Sequence, residues 1–167
     1  MAKTGSLLEQ AYQLLGSATP LPVDCGELCN RRCCRGEEVG MLLLPGEEEL
    51  LGSQPGFRYV HEDEETILVC SGTCERQKRP WACRIFPFFT LITARESASA
   101  AINIIYDPRA YPICPLAAGN YPQRGIFRYL LRRSTRLLLR DRQLQAWFEQ
   151  QSLLLEALED IRINLLT

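Results

Sequence analysis

The chain has 167 residues, 46% of them hydrophobic, enough for one compact domain with a real core and few for two. A formal net charge of −1 hides segregation, because residues 1–66 sum to −7, 67–142 to +9 and 143–167 to −3. The opening residues lack the apolar run of a signal peptide and no later stretch reaches the ~20 apolar residues of a membrane span, so a soluble cytoplasmic chain without a membrane partner is expected.

Residues 6–15 place Leu7, Leu8, Ala11, Tyr12, Leu14 and Leu15 at helical spacing, and Gly16, Ser17, Pro20 and Pro22 end that helix, so 1–24 read as an N-terminal helix and lead-in. The next stretch is rich in Gly, Arg and Glu without periodicity, which suits a loop or helical turn. Residues 41–44 are a short apolar run ended by Pro45 and Gly46, and 47–51 look like one helical turn closed by Gly52. Residues 57–60 and 66–69, separated by an acidic turn at 61–65, read as a β-hairpin that delivers Cys70 at the end of its second strand. Residues 85–93 and 98–106 are aromatic and β-branched and read as two more strands, the first weakened at its start by Pro87. From residue 123 to 166 the chain turns to Leu, Arg, Gln and Glu, with no Pro after Pro122 and no Gly after Gly125, which reads as two helices or one broken one. Leu144, Phe148, Leu155, Leu158 and Leu165 form a stripe that buries one face on the domain or on a second copy.

Eight cysteines dominate the composition: Cys25, Cys29, Cys33 and Cys34 within ten residues, then Cys70, Cys74, Cys83 and Cys114. In a reducing cytosol such density points to metal ligands or redox groups before disulfides. Gaps of three residues let Cys25, Cys29 and Cys33 converge once the chain turns helically, whereas the neighbours Cys33 and Cys34 are expected to diverge and serve different metals, or one of them to stand outside the ligand shell. In the second group Gly72 supplies freedom for a tight knuckle, and Pro80 and Pro115 fix backbone angles beside cysteines.

A Cys-Cys pair at Cys33-Cys34, an eight-residue gap between Cys74 and Cys83, and Arg79-Pro80 followed by Cys83-Arg84-Ile85-Phe86-Pro87 make the chain resemble a known family. This is the cysteine-cluster family of zinc- or iron-chelating domain proteins, which includes the cysteine-rich region of flagellin lysine N-methylase. The resemblance spans about residues 25–116 and leaves the C-terminal helices outside. It departs at Asn30-Arg31-Arg32, three residues where the family has two before the Cys-Cys pair, which leaves open which cysteines share an ion. The resemblance implies metal chelation and specifies no reaction.

All-thiolate sites suit both Zn²⁺ and iron–sulfur clusters, and eight thiolates would satisfy two four-cysteine sites. Zinc is favoured, with iron as the rival; the spacing differs by one residue from the Cys-x3-Cys-x2-Cys of radical enzymes. The lone histidine, His61, reads as an exposed polar residue. Arg124, Arg128, Arg132, Arg136 and Arg140 recur every four residues, with Arg133 and Arg142 beside them, as a stripe facing an anionic partner or paired internally with Glu62–Glu65 or 47–49. Internal pairing is the preferred reading over nucleic acid, since Phe127 and Tyr129, like Trp147, Phe148 and the aromatics at 86, 88 and 89, read as core. No phosphate loop, nucleophile elbow or zinc-protease helix is present; a reactive thiol would be Cys34 or Cys83, beside Arg35 and Arg84.

The sequence therefore predicts an α+β domain over 1–167, with a small irregular sheet and cysteine knuckles around a metal site in a core over 25–116. An N-terminal helix and a C-terminal helical hairpin over 120–167 complete it. The function expected is zinc or iron binding in a bacterial-type cytoplasmic protein, with no enzymatic activity assigned. The alternatives are an iron–sulfur protein of redox or methyl-transfer chemistry and a zinc-stapled module that binds a protein or other anionic partner. The C-terminal helices would serve any oligomer.

Overall fold

Helical periodicity at the N-terminus becomes α1 (Thr4–Leu15), whose Leu7, Leu8, Ala11 and Leu15 form the buried face. The computed structural model describes residues 4–23, 25–34, 40–72, 74–93, 101–119, 121 and 124–166; the side chains of Cys25, Leu28 and Leu166 lie outside the described set. After α1 come α2 (Cys25–Leu28), a 3-10 turn (Arg32–Cys34), β1 (Gly40–Leu42) and α3 (Glu47–Leu51). The hairpin β2 (Phe57–Glu62) and β3 (Glu65–Cys70) leads to a 3-10 turn (Arg76–Lys78) and α4 (Trp81–Ile85). Then follow β4 (Phe88–Thr93), β5 (Ala101–Tyr106), a 3-10 turn (Pro108–Ala110), α5 (Pro115–Gly119), α6 (Gly125–Leu138) and α7 (Arg142–Leu166). The architecture is α+β.

Two antiparallel sheets are present among the described residues, one ordered β1-β3-β2 and the other a β4-β5 ribbon. The hairpin is longer than its hydrophobic pattern: His61 pairs Thr66 and Glu62 pairs Glu65, so the turn shrinks to Asp63 and Glu64, with Asp63 at φ 50°. Strand β1 adds to the other edge of β3, with Gly40 opposite Val69; a Cβ at Gly40 would stand 2.2 Å from Ile67 Cγ2, so the strand begins on a residue without a side chain. Strand β4 starts at Phe88, after the cis Phe86–Pro87 bond and not at 85, because residues 81–85 are helical. The expected strand segment 98–100 lies outside the described residues.

The C-terminal part divides into α6 and α7 with a corner at 139–141, where Asp141 accepts the N–H groups of Gln143 and Leu144 and so caps α7. The two helices have different principal partners, α6 lying against α1 and β5 and α7 against β4. One buried cluster joins Leu8 and Leu15, Trp81 and Ile85, Phe88 and Phe89, Phe127 and Leu131, and Leu144, Phe148 and Leu155. At its centre Trp81 and Phe148 pack edge to face with centroids 5.4 Å apart, and the Trp81 Nε1–H donates to Ser134 Oγ at 3.3 Å. The α7 stripe leaves this core beyond Leu158: Leu165 is 80% exposed. Tyr129 is likewise no core residue, being 54% exposed, because two helical positions turn it away from the buried Phe127.

Candidate metal centre

The cysteines are carried mostly by short elements, and Cys114 is itself buried with Leu21, Ala110, Leu116 and Ala117 in a small apolar cluster. Cys29 follows α2, Cys33 and Cys34 sit in the 3-10 turn, Cys70 ends β3, Cys74 precedes the next 3-10 turn, Cys83 lies in α4 and Cys114 precedes α5. Left-handed backbone at Asn30 (φ 52°) and Arg31 (φ 57°) turns the first segment back on itself, so the three residues before the Cys-Cys pair form a reversal. Gly72, at φ 81°, does the same for the second segment, as its place in the sequence anticipates. The two segments are joined directly by the Arg31 guanidinium, which donates to the Gly72 carbonyl at 3.3 Å.

All seven described cysteine side chains line one cavity of about 370 Å³, which the two sequence groups therefore share. None is in a disulfide. Cys33 and Cys34 do not diverge: the 3-10 turn brings their Sγ atoms to 3.6 Å. Two thiolates on one tetrahedral zinc would stand about 3.8 Å apart, from a Zn–S bond of about 2.3 Å, so this pair has the separation of co-ligands. Among the described residues, no three His, Cys, Asp or Glu groups stand together as a ready coordination group. The donor chemistry fits a thiophilic metal, then, while a full ligand set requires further side-chain convergence. Cys25, the eighth candidate, lies outside the described side chains.

The electrostatics trace the same neighbourhood. The Cys33 thiol is pushed up first by its sulfur–sulfur hydrogen bond to Cys34, then by burial and by the Cys34, Cys29 and Cys83 thiols. Cys83 is raised well above the ordinary thiol value by burial, then by Cys34, Glu47, Cys74 and Cys70, which places it within reach of both cysteine groups. Burial also raises Cys74, with Cys70 adding to the rise while a hydrogen bond and charge from Arg79 oppose it. Cys114 is raised by burial, against the backbone N–H groups of Leu116 and Ala117 that its sulfur accepts. Thiols that hold one another protonated are the groups a divalent cation would ionise together, releasing protons as it binds.

Cys83 is positioned by a helix held from behind. Trp81 and Ile85, four residues apart, face the core, and Cys83 between them lines the cavity. The fully buried Glu47 anchors this helix: its Oε1 accepts the Trp81 N–H and the Tyr12 hydroxyl, each at 2.5 Å, and its Oε2 accepts the Leu44 N–H at 2.8 Å. Burial raises the Glu47 pKa, while these three donors and the nearby Arg84 oppose the rise. The acidic run 47–49 reads as a candidate partner of the arginine stripe; Glu47 instead ties α1, the segment after β1 and α4 together, a role that only the fold reveals.

Arg84 does not serve Cys83 as an activating cation. It is 5% exposed, donates to the carbonyls of Arg79 and Gln77 at 2.7 and 2.5 Å, and stacks 4.2 Å from the Tyr12 ring. Burial raises the Cys83 thiol, which works against a thiolate there in the metal-free chain; Arg35, its counterpart beside Cys34, lies outside the described residues. His61 lies outside the cavity lining, on the β2 surface, with Nε2 2.8 Å from Glu48 Oε2. No protein-family model, curated protein or solved structure matches the chain. No helix among the described residues is long and apolar enough to cross a membrane.

Proposed function

We propose that this protein binds zinc or iron through its cysteine thiolates, acting in a reducing, cytoplasmic compartment. The observation that carries the reading is the convergence of seven cysteines from separate segments on one cavity. Cys29, Cys33 and Cys34 from the first segment and Cys70, Cys74, Cys83 and Cys114 from the second would hold the metal, with Cys25 as a further ligand. The motif resemblance at Cys33-Cys34 and Cys83-Arg84-Ile85-Phe86-Pro87 points the same way. Zinc would supply a structural cross-link; an iron–sulfur centre would supply electron transfer.

The seven described thiols on the cavity exceed the four that a single tetrahedral ion takes, which leaves room for a second ion or a polynuclear centre. Arg31, Arg76 and Arg79 also line that cavity, and their charge would offset that of several metal-bound thiolates. The test is elemental analysis of protein purified without oxygen from cells supplied with both metals. One or two zinc per chain with negligible iron establishes the zinc form. About two to four iron with a brown chromophore establishes the cluster. Protein that retains neither metal overturns the reading.

A further inference from the structure

Several of the carboxylates expected to pair with the arginine stripe are engaged elsewhere. Glu47 is buried among Tyr12, Leu44 and Trp81, Glu48 faces His61, and Glu65 accepts from Gln151 at 2.9 Å. Among the described residues no carboxylate pairs with Arg124, Arg132, Arg133, Arg136 or Arg140. Asp141, the acidic residue nearest in sequence, is bonded by the Thr4 hydroxyl at 2.6 Å. Tyr129, Arg132, Arg133 and Arg136 fall at i, i+3, i+4 and i+7, so they share one face of α6, opposite the buried Phe127, Leu131 and Leu138. Tyr129 is 54% exposed there, with the Arg133 guanidinium 5.7 Å from its ring centroid, and Ile126 beside it is 52% exposed.

We propose that this outward face of α6 binds single-stranded nucleic acid, with Arg132, Arg133 and Arg136 on phosphates and the Tyr129 ring as a stacking platform for a base. The Arg133 guanidinium also donates to the Tyr129 hydroxyl at 3.4 Å, and an exposed aromatic among guanidinium groups that no described carboxylate pairs is the combination such binding uses. A membrane surface would need the apolar face of the helix, and that face is packed in the core. A duplex keeps its bases stacked inside and offers Tyr129 no base face.

Fluorescence anisotropy of the metal-loaded full chain with labelled oligo-dT and oligo-U tests this. Replacing Arg132, Arg133 and Arg136 together by Ala should weaken binding at least tenfold and flatten the slope of log K against log salt by about 2, from three lost phosphate contacts. Tyr129→Ser should weaken oligonucleotide binding about tenfold while leaving affinity for inorganic polyphosphate unchanged. If the triple variant does not fold, Arg136→Glu and Tyr129→Ser, each at an exposed site, make the same comparison. The proposal is overturned if the wild type does not bind oligonucleotide, if the variants bind like the wild type, or if duplex DNA, polyglutamate or anionic vesicles compete as well as the single strand.

Discussion

The half of the molecule built from α1, α6, α7 and the β4-β5 ribbon differs from the half that carries the cysteines chiefly in how long its elements are. The first uses helices of 12, 14 and 25 residues around Trp81, Phe127 and Phe148, all 0% exposed. The second uses helices of 4 and 5 residues and isolated 3-10 turns around a cavity. Helices that short do not hold themselves by local hydrogen bonding, so the cysteine half needs contacts from elsewhere. Helix α4 bridges the two, its Trp81 and Ile85 in the core and its Cys83 on the cavity. One half is thus held by a continuous apolar core, while the other rests on two smaller clusters, around Leu21, Ala110 and Leu116 and around Leu43, Leu51 and Leu68, which on the proposed function leaves metal–thiolate bonds to complete it.

The comparison breaks first at the cysteines. Cys33→Ser should lose most of the bound metal by elemental analysis, as thiolate bonds supply roughly 10–16 kcal/mol in small zinc sites, while His61→Ala should keep it all. In the packed half, Phe148→Ala should lower stability by about 3–5 kcal/mol in urea unfolding with metal stoichiometry unchanged; loss of metal there would erase the distinction. Glu47→Ala sharpens it at the boundary. Leaving the buried Leu44 and Trp81 N–H groups unpaired should cost about 2–4 kcal/mol, and because α4 carries Cys83, metal should also leave faster in chelator competition.

The smallest effect is at the α6–α7 corner. The Thr4 hydroxyl holds Asp141 below the usual carboxylate pKa near 3.8, and the Leu144 and Gln143 amides add to that. A depressed pKa contributes stability that is full above the unfolded value and is lost as pH falls through the folded one. The melting advantage of wild type over Asp141→Asn should therefore be full near neutral pH and be lost as pH falls through the depressed folded-state value. An advantage constant across that range would contradict the assignment.

What could be read from the sequence follows these two halves as well. Helix α1 and the β2-β3 hairpin are legible because their apolar residues repeat with the period of the element. The C-terminal stripe is legible as far as Leu158, where packing against β4 and its neighbours gives way to solvent. Helices α4, which follows Pro80, and α5, which begins at Pro115, have five residues each and carry no period to read. The candidate ligands are legible by residue type, but their sharing of one cavity depends on tertiary placement, and the 3.6 Å approach of Cys33 and Cys34 on a 3-10 turn that spacing does not encode. Glu47 and Tyr129 were misleading for opposite reasons: a carboxylate in an acidic run is buried by three donors, and an aromatic beside core residues is turned outward by the helix.

The most direct test of the division is amide hydrogen exchange on metal-loaded protein before and after chelation. The account predicts that protection is lost in 26–34, 74–79 and 110–119 and kept in 4–15, 88–93 and 125–158. Unchanged protection throughout, or uniform loss in both halves, would contradict it.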